Sequence, residues 1–172
     1  MPDALLIGGR SGSGKSTVGW EVSGLLGSDG ILHAYVEGDT VGNVVPPRPD
    51  DPNRSRITEV NLTAMWANFA AVGCDRLVYT NTASVLEPEM FERALGGTAR
   101  IIPVMLTAED ETVAGRLSAR EIGSELELHI KRSRRMATYL DENVPQGTIR
   151  VATDDRTVTE IAREIIAATG WG

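Results

Sequence analysis

Short apolar runs alternate along the chain with segments in which apolar residues recur at every third or fourth position. The runs predict β-strands, and their lack of polar alternation indicates strands that are buried on both faces. They span residues 4–8, 31–36, 76–81, 100–106 and 148–152. This order predicts an α/β fold of three layers, in which helices cover both faces of a five-stranded parallel sheet.

The segments between the runs carry apolar stripes with the spacing of one helix face. The stripes comprise Val18, Val22, Leu25 and Leu26; Leu62, Met65, Trp66 and Phe69; Ile122, Leu126, Ile130, Ser133, Ala137 and Leu140; and Val158, Ile161, Ala162, Ile165 and Ile166. Thr157 and Glu160 form the capping box that starts the last helix. The stripes are expected to be core. His33, in a predicted strand, is expected to be a packed side chain, and His129 is uninformative.

The 172 residues are 41% hydrophobic and carry a formal net charge of −7. These values fit one globular domain over residues 1–172. The acidic balance argues against nucleic acid as a partner. A single cysteine, Cys74, together with the lack of a signal-peptide pattern and of a membrane-length apolar run, predicts a cytoplasmic protein without membrane contact. The sequence does not indicate an oligomeric state.

The segment 9–16, GRSGSGKS, matches the phosphate-binding motif G-x-x-x-x-G-K-[ST] in full. It lies between the first predicted strand and the first predicted helix, as the motif requires. Lys15 would reach the β- and γ-phosphates of ATP, and the Ser16 hydroxyl would bind Mg²⁺. The expected nucleotide contacts are Gly9, Ser11, Gly12, Ser13, Gly14, Lys15, Ser16 and Thr17. The alternative is a glycine- and serine-rich turn without a ligand, which the strand-to-helix setting disfavours.

Two carboxylates, Glu37 and Asp39, follow the second predicted strand, and Gly38 between them permits a bend. Asp39 is expected to meet the acceptor hydroxyl as a hydrogen-bond partner or base, or to hold a water of the Mg²⁺ shell, while Glu37 would contact substrate. A solvated acidic turn is the alternative. Residues 42–53 contain four of the eight prolines and predict a long surface loop with a functional role.

Three features together resemble the P-loop small-molecule kinases, which include the nucleoside monophosphate, gluconate, shikimate and adenylylsulfate kinases. They are the phosphate motif, an acidic G-D dipeptide after the second strand and an arginine-rich segment after the fourth. The segment 35–39, YVEGD, is similar to the D-G-D segment of adenylylsulfate and gluconate kinases. The resemblance implies an ATP-dependent phosphotransferase that moves the γ-phosphate of Mg-ATP to a hydroxyl or phosphate of a small molecule. The alternative is a nucleotide-binding module or slow NTPase that acts as a conformational switch.

The same resemblance implies a mobile lid near residues 116–135. Arg116 and Arg120 lie four positions apart on one helix face, and as lid residues they would be catalytic. Surface ion pairs with neighbouring glutamates are the alternative. Arg54 and Arg56 occupy the region where nucleotide-type kinases hold their acceptor.

Three further features leave their roles open. Arg132 and Arg135 belong to a basic cluster that is either a second anion site or a solvated helix face. Asn81 ends the third predicted strand, where many P-loop proteins carry an aspartate associated with Mg²⁺. Residues 153–156 resemble the segment beside adenine in these kinases, or they only cap the last helix.

Overall fold

The computed structural model describes residues 1–120 and 125–171, which fold around one parallel sheet. The strands are β1 (Asp3–Gly8), β2 (Ala34–Glu37), β3 (Arg76–Thr80), β4 (Arg100–Thr107) and β5 (Ile149–Ala152). The helices are α1 (Lys15–Ser28), α2 (Gly38–Val41), α3 (Ser55–Ala71), α4 (Pro88–Ala94), α5 (Asp110–Arg120), α6 (Leu126–Asn143) and α7 (Val158–Thr169), with a 3₁₀ turn at Ser84–Leu86. The strand order across the sheet is β2-β3-β1-β4-β5.

Neighbouring strands are parallel throughout this sheet, which confirms the predicted α/β fold. Four strands begin within one residue of their predicted positions. The prediction for the second strand is wrong at its start, because β2 begins at Ala34. Gly30, with φ of 73°, closes the preceding helix, and the His33 ring nitrogens lie 2.8 Å from the Ile31 carbonyl and 2.7 Å from the Ser23 hydroxyl. His33 is therefore packed, but it lies outside the strand.

Alternate residues of the strands point to opposite faces and divide the core into two layers. On β1, Ala4 and Leu6 belong to the cluster that includes residues of α3, α4 and α6. Leu5 and Ile7 belong to the cluster that includes residues of α1 and α7. All four side chains are fully buried. Burial on both faces explains why β1 reads as a continuous apolar run.

The predicted helical stripes correspond to α1, α3, α6 and α7. The capping box of α7 is present, because the Thr157 hydroxyl accepts from the Glu160 N–H and the Glu160 carboxylate accepts from the Thr157 N–H. Ile122, placed in the third stripe, lies outside the described residues. No helix in the described ranges combines the length and the apolar character that a membrane span requires.

The strand register brings three chain segments together at one edge of the sheet. Glu37 of β2 is the register partner of Thr80 on β3, and Thr80 is the partner of Ile7 on β1. Beyond this edge, the Gly9 N–H donates to the Thr82 carbonyl at 3.2 Å. The segments that follow β1, β2 and β3 therefore meet at the carboxyl ends of their strands, where open parallel sheets bind ligands.

Candidate active site

The loop between β1 and α1 has the backbone that a phosphate-binding loop requires. Gly9, Gly12 and Gly14 have positive φ angles of 138°, 84° and 97°. Gly14 is the N-cap of α1 in the left-handed region, and it has no side chain that could cap the helix. The first N–H groups of α1 have no acceptor within the helix, so they form a site for an anion. The loop therefore fits the phosphates of a nucleotide.

Lys15 lies at the first position of α1, and its Nζ donates to the Arg10 carbonyl at 3.2 Å. Burial lowers the pKa of Lys15; Asp39 and Glu37 oppose this shift, while the charge of Arg120 adds to it. The ammonium group is thus within electrostatic range of two carboxylates and one guanidinium. A phosphate chain bound in the loop would meet cations from two helices, α1 and α5.

Ser16 and Glu37 place a hydroxyl and a carboxylate next to each other beside the loop. The Ser16 hydroxyl donates to Glu37 Oε2 at 3.3 Å, and the Tyr35 hydroxyl donates to Glu37 Oε1 at 2.7 Å. Burial, with a smaller contribution from Glu37, raises the pKa of Tyr35, so its hydroxyl stays protonated as a donor. Trp20 packs on Tyr35 with ring centroids 4.6 Å apart. Hydroxyl and carboxylate oxygens are ligands that Mg²⁺ accepts, so this pair fits a metal ion that also binds phosphate.

Asp39 lies in the first turn of α2 and is exposed. Its Oδ1 accepts a hydrogen bond from Asn81 Nδ2 at 2.8 Å, which joins the end of β2 to the end of β3. Gly38 serves close packing here rather than a bend, because a Cβ at this position would lie 2.4 Å from the Tyr79 ring. The missing Cβ lets α2 begin directly against β3. This close approach brings Asp39 to Asn81.

A cavity of about 760 Å³ lies beside Asp39. Its polar lining residues are Asp39, Asn43, Asn53, Arg54, Ser55, Thr58, Asn81, Ser84 and Glu87; its apolar and aromatic ones include Tyr79, Leu86, Met90, Phe91, Met136 and Tyr139. The predicted surface loop 42–53 contains no helix or strand and supplies part of the wall. An apolar wall with a few converging polar groups is typical of a small-molecule site.

The two arginines predicted to hold the acceptor lie in different surroundings. Arg54 lines the cavity, and its Nε donates to the Val44 carbonyl at 3.0 Å. Arg56 forms an exposed ion pair with Asp50 at 2.6 Å. Of the two, the structure brings Arg54 to the cavity.

Arg116 and Arg120, predicted as lid residues, also differ in their contacts. The half-buried Arg116 donates to the carbonyls of Gly12 and Ser13 at 3.3 and 3.4 Å, and to the Thr153 hydroxyl and carbonyl at 3.0 and 3.1 Å. It therefore ties the phosphate loop to the segment after β5. Arg120 is exposed at the end of α5 and interacts electrostatically with Lys15. The geometry thus engages Arg116 in supporting the loop. The role of Arg120 as a lid residue stays a prediction.

Neither a family model nor a curated protein matches this sequence. Among solved structures, a gluconokinase from Sinorhizobium meliloti matches with a TM-score of 0.62 at 20% identity, over 98% of this chain and 92% of that chain. An APS kinase from Mycobacterium tuberculosis in complex with AMPPNP and APS matches with a TM-score of 0.59 at 20% identity, over 98% of both chains. A shikimate kinase from Acinetobacter baumannii in complex with shikimate gives 0.59 at 18% identity, over 98% and 93%. The chain has the fold of the P-loop small-molecule kinases.

Within this P-loop kinase fold, several side chains that the motif does not specify hold the phosphate loop. The Ser133 hydroxyl of α6 donates to the Ser11 carbonyl at 2.7 Å, and His129 Nε2 lies 3.0 Å from the Ser11 hydroxyl. The buried Arg10 guanidinium pairs with Asp110 at 2.5 Å. In the sequence, Ser133 stands out as a polar residue inside an apolar stripe. The contact of Arg10 has no such signal, because its partner Asp110 lies 100 residues away.

The arginines of the basic cluster of α6 differ in their contacts near the candidate site. Arg134 pairs with Asp110 at 2.6 Å, whereas Arg132 lines a depression that also includes Ser11 of the phosphate loop. Arg135 is exposed. The part of the predicted lid at 121–124 lies outside the described residues. A role for Arg132 or Arg135 in the site stays a prediction.

Proposed function

We propose that this protein is an ATP-dependent phosphotransferase that moves the γ-phosphate of Mg-ATP to a hydroxyl group of a small molecule. One observation carries the proposal: Lys15 of the phosphate loop interacts electrostatically with Asp39, and Asp39 lines a cavity of about 760 Å³. In this proposal, the nucleotide site and the acceptor site share one boundary. That is the arrangement that direct transfer between two bound molecules needs.

In this proposal, the acceptor binds in the cavity with its hydroxyl on Asp39. The hydroxyl oxygen attacks the γ-phosphorus, a new P–O bond forms, and the bond to the oxygen that bridges the β- and γ-phosphates breaks, so that ADP leaves. The hydroxyl proton passes to the Asp39 carboxylate and then to solvent. Lys15 and Arg120 stabilise the charge on the transferring group.

Glu37 is assigned to the metal side of the site rather than to the acceptor. Its two carboxylate oxygens accept from Ser16 and Tyr35, and it is not among the described residues that line the cavity. Ser16 and Glu37 would together hold Mg²⁺, directly or through water. Bound Mg²⁺ neutralises charge on the β- and γ-phosphates. The proposed activity would take place in the cytoplasm, with ATP and Mg²⁺ as cofactors and a small molecule as the acceptor.

The test is ATP turnover measured with and without a panel of nucleosides, sugars and hydroxy acids. A kinase shows slow basal hydrolysis and strong stimulation by at least one acceptor, which is recovered in phosphorylated form by mass spectrometry. Turnover that no acceptor changes, together with a nucleotide-dependent conformational change, would instead support a switch.

A further inference from the structure

The cavity beside Asp39 differs in charge from the phosphate loop that it adjoins. Among the residues that the structure describes, its lining holds two carboxylates, Asp39 and Glu87, against one guanidinium, Arg54. The Nε of Arg54 already donates to the Val44 carbonyl. An acceptor with a carboxylate or phosphate group would therefore enter a site with an excess of like charge, which disfavours binding.

Two arginines that lie near lining residues in the sequence do not reverse this excess of negative charge. Arg56 pairs with Asp50 at 2.6 Å. Arg93 makes two hydrogen bonds to the carboxylate of Glu59, at 2.9 and 2.8 Å. Both guanidinium groups are thus engaged by carboxylates that do not belong to the described lining.

Tyr79 shows that the two carboxylates act on the same part of the cavity. Its ring is buried against Phe91, with ring centroids 4.7 Å apart. Burial raises the pKa of the Tyr79 hydroxyl, and the charges of both Asp39 and Glu87 raise it further. The negative potentials of Asp39 and Glu87 therefore overlap where the Tyr79 hydroxyl lies.

We infer that the acceptor is a hydroxyl compound without an anionic group, and that an amino group on it is recognised by Glu87 while its hydroxyl meets Asp39. This inference rests on the proposed function and names its substrate class. The Ser55 hydroxyl donates to Glu87 Oε1 at 2.6 Å and holds the carboxylate in place. An ammonium group has donors only, so the remaining lone pairs of Glu87 match it.

The apolar part of the lining fits the carbon skeleton of such an acceptor. Leu86, Met90 and Met136 line the cavity, and Tyr139 adds an aromatic ring. Methionine side chains adapt to irregular ligand shapes, and an aromatic ring can pack on a sugar or on another ring. A molecule with a hydroxyl group, an amino group and an apolar face would use all three kinds of lining.

The experiment compares acceptors that share a skeleton and differ in charge. One series is glucosamine, glucose and glucuronate, and the other is phenylalaninol, 3-phenylpropanol and 3-phenyllactate. With saturating Mg-ATP at pH 7, kcat/KM for ADP release is expected to be at least about tenfold higher for the amine than for the acid in at least one series, with the neutral compound between them. An acid that equals or exceeds its amine in both series overturns the inference.

The variant Glu87→Gln tests the residue that would make this distinction. The glutamine oxygen can still accept from Ser55, so the fold is expected to persist. The preference for the amine should fall by about tenfold, while the neutral compound changes little. Glu89→Gln is the matched control, since Glu89 lies two residues after Glu87, is exposed in the first turn of α4 and is not among the described lining residues. An equal loss of preference in both variants contradicts recognition by Glu87.

Calorimetry in the presence of AMPPNP separates this inference from the proposed function. An amine that binds without being phosphorylated supports the inference and contradicts the kinase proposal. An acid that is phosphorylated best contradicts the inference and supports the kinase. If none of the six compounds binds or is phosphorylated, the inference is wrong, and the kinase proposal then depends on the wider acceptor panel.

Discussion

Lys15 and Asp39 interact across the crevice, yet each is expected to serve a different ligand. Lys15 lies at the start of the helix that follows the phosphate loop. Burial lowers the pKa of Lys15, and the charges of Asp39 and Glu37 oppose this shift and favour its charged form. Asp39 is exposed beside the cavity and is fixed by Asn81. Single substitutions can therefore separate nucleotide binding from transfer.

Lys15→Ala is expected to lower ATP turnover by at least about 10²-fold, because the substitution removes a cation from the transferring phosphate. The thermal midpoint should change little, since Lys15 contributes no apolar core. Turnover assays and thermal unfolding check this. The chain has one other lysine, Lys131, which is exposed on α6 and serves as the matched control. Wild-type turnover in Lys15→Ala would remove the nucleotide site from this loop.

Asp39→Asn is expected to leave ATP affinity within a few-fold and to lower transfer to an acceptor by about 10²–10⁴-fold, the range of general acid–base assistance. The amide keeps the shape of the side chain but cannot take the hydroxyl proton. Calorimetry with ATP and a transfer assay on the same variant measure the two effects. Loss of Mg-ATP affinity without a separate effect on transfer would place Asp39 in the metal shell instead.

At the scale of elements, α5 presents two arginines to the phosphate loop in different ways. Arg116, one turn before Arg120, bonds to two carbonyls of the loop and to Thr153. Arg120, at the end of the helix, retains exposed surface. One residue of the helix thus supports the loop, and the next residue on the same face is an exposed cation that interacts electrostatically with Lys15.

Arg120→Ala is therefore expected to lower kcat far more than it weakens ATP binding, by up to the ~10³–10⁵-fold range of arginine fingers, with an unchanged thermal midpoint. Arg116→Ala is expected to lower the thermal midpoint by about 2–12 °C, because carbonyl groups of the loop lose their donor. Arg116→Lys keeps the charge but not the forked geometry, so it should restore little. Steady-state kinetics and thermal unfolding of the three variants check this. A stable Arg116→Ala variant with low kcat would return Arg116 to a catalytic role.

At the scale of the whole molecule, the ends of the chain are joined through Asp3. Its carboxylate accepts from Arg100 at the start of β4 and from the Trp171 indole N–H, the latter at 2.9 Å. The hydrogen bond from Arg100 is the largest cause that lowers the pKa of Asp3, against the effect of burial. This contact links the first strand, an adjacent strand and the segment after α7.

Because the pKa of Asp3 is lower in the folded state, its contribution to stability is present above the unfolded value of about 4 and is lost as the pH falls through the folded value. Asp3→Asn is thus expected to lower the thermal midpoint at pH 7, and the difference from wild type should shrink toward pH 3. Thermal unfolding at pH 7, 5 and 3 measures it, with the exposed Asp29→Asn as control. A difference that does not depend on pH would show that ionisation of Asp3 is not involved.

Much of the fold could be predicted from local patterns. Strands such as β1 and β4 are buried on both faces, so continuous apolar runs mark them, and the box at Thr157 marks the start of α7 through contacts only three residues apart. The phosphate loop is equally local, because its glycines, lysine and serine occupy consecutive positions. The start of β2 was misplaced because the contacts of His33 with Ser23 and Ile31 have no periodic signal.

The sequence by itself determined the class of fold, the phosphate loop and the position of the carboxylates Glu37 and Asp39 after the second strand, since each depends on residues close together in the chain. Only the tertiary structure decided which distant groups meet: Ser16 with Glu37, Asn81 with Asp39, and Arg116 with Thr153. The tertiary structure also forms the cavity and places Glu87 in its lining. The physical reason is the strand order β2-β3-β1-β4-β5, which brings segments from distant parts of the chain to one edge of the sheet. Their proximity depends on long-range packing, which leaves no local pattern.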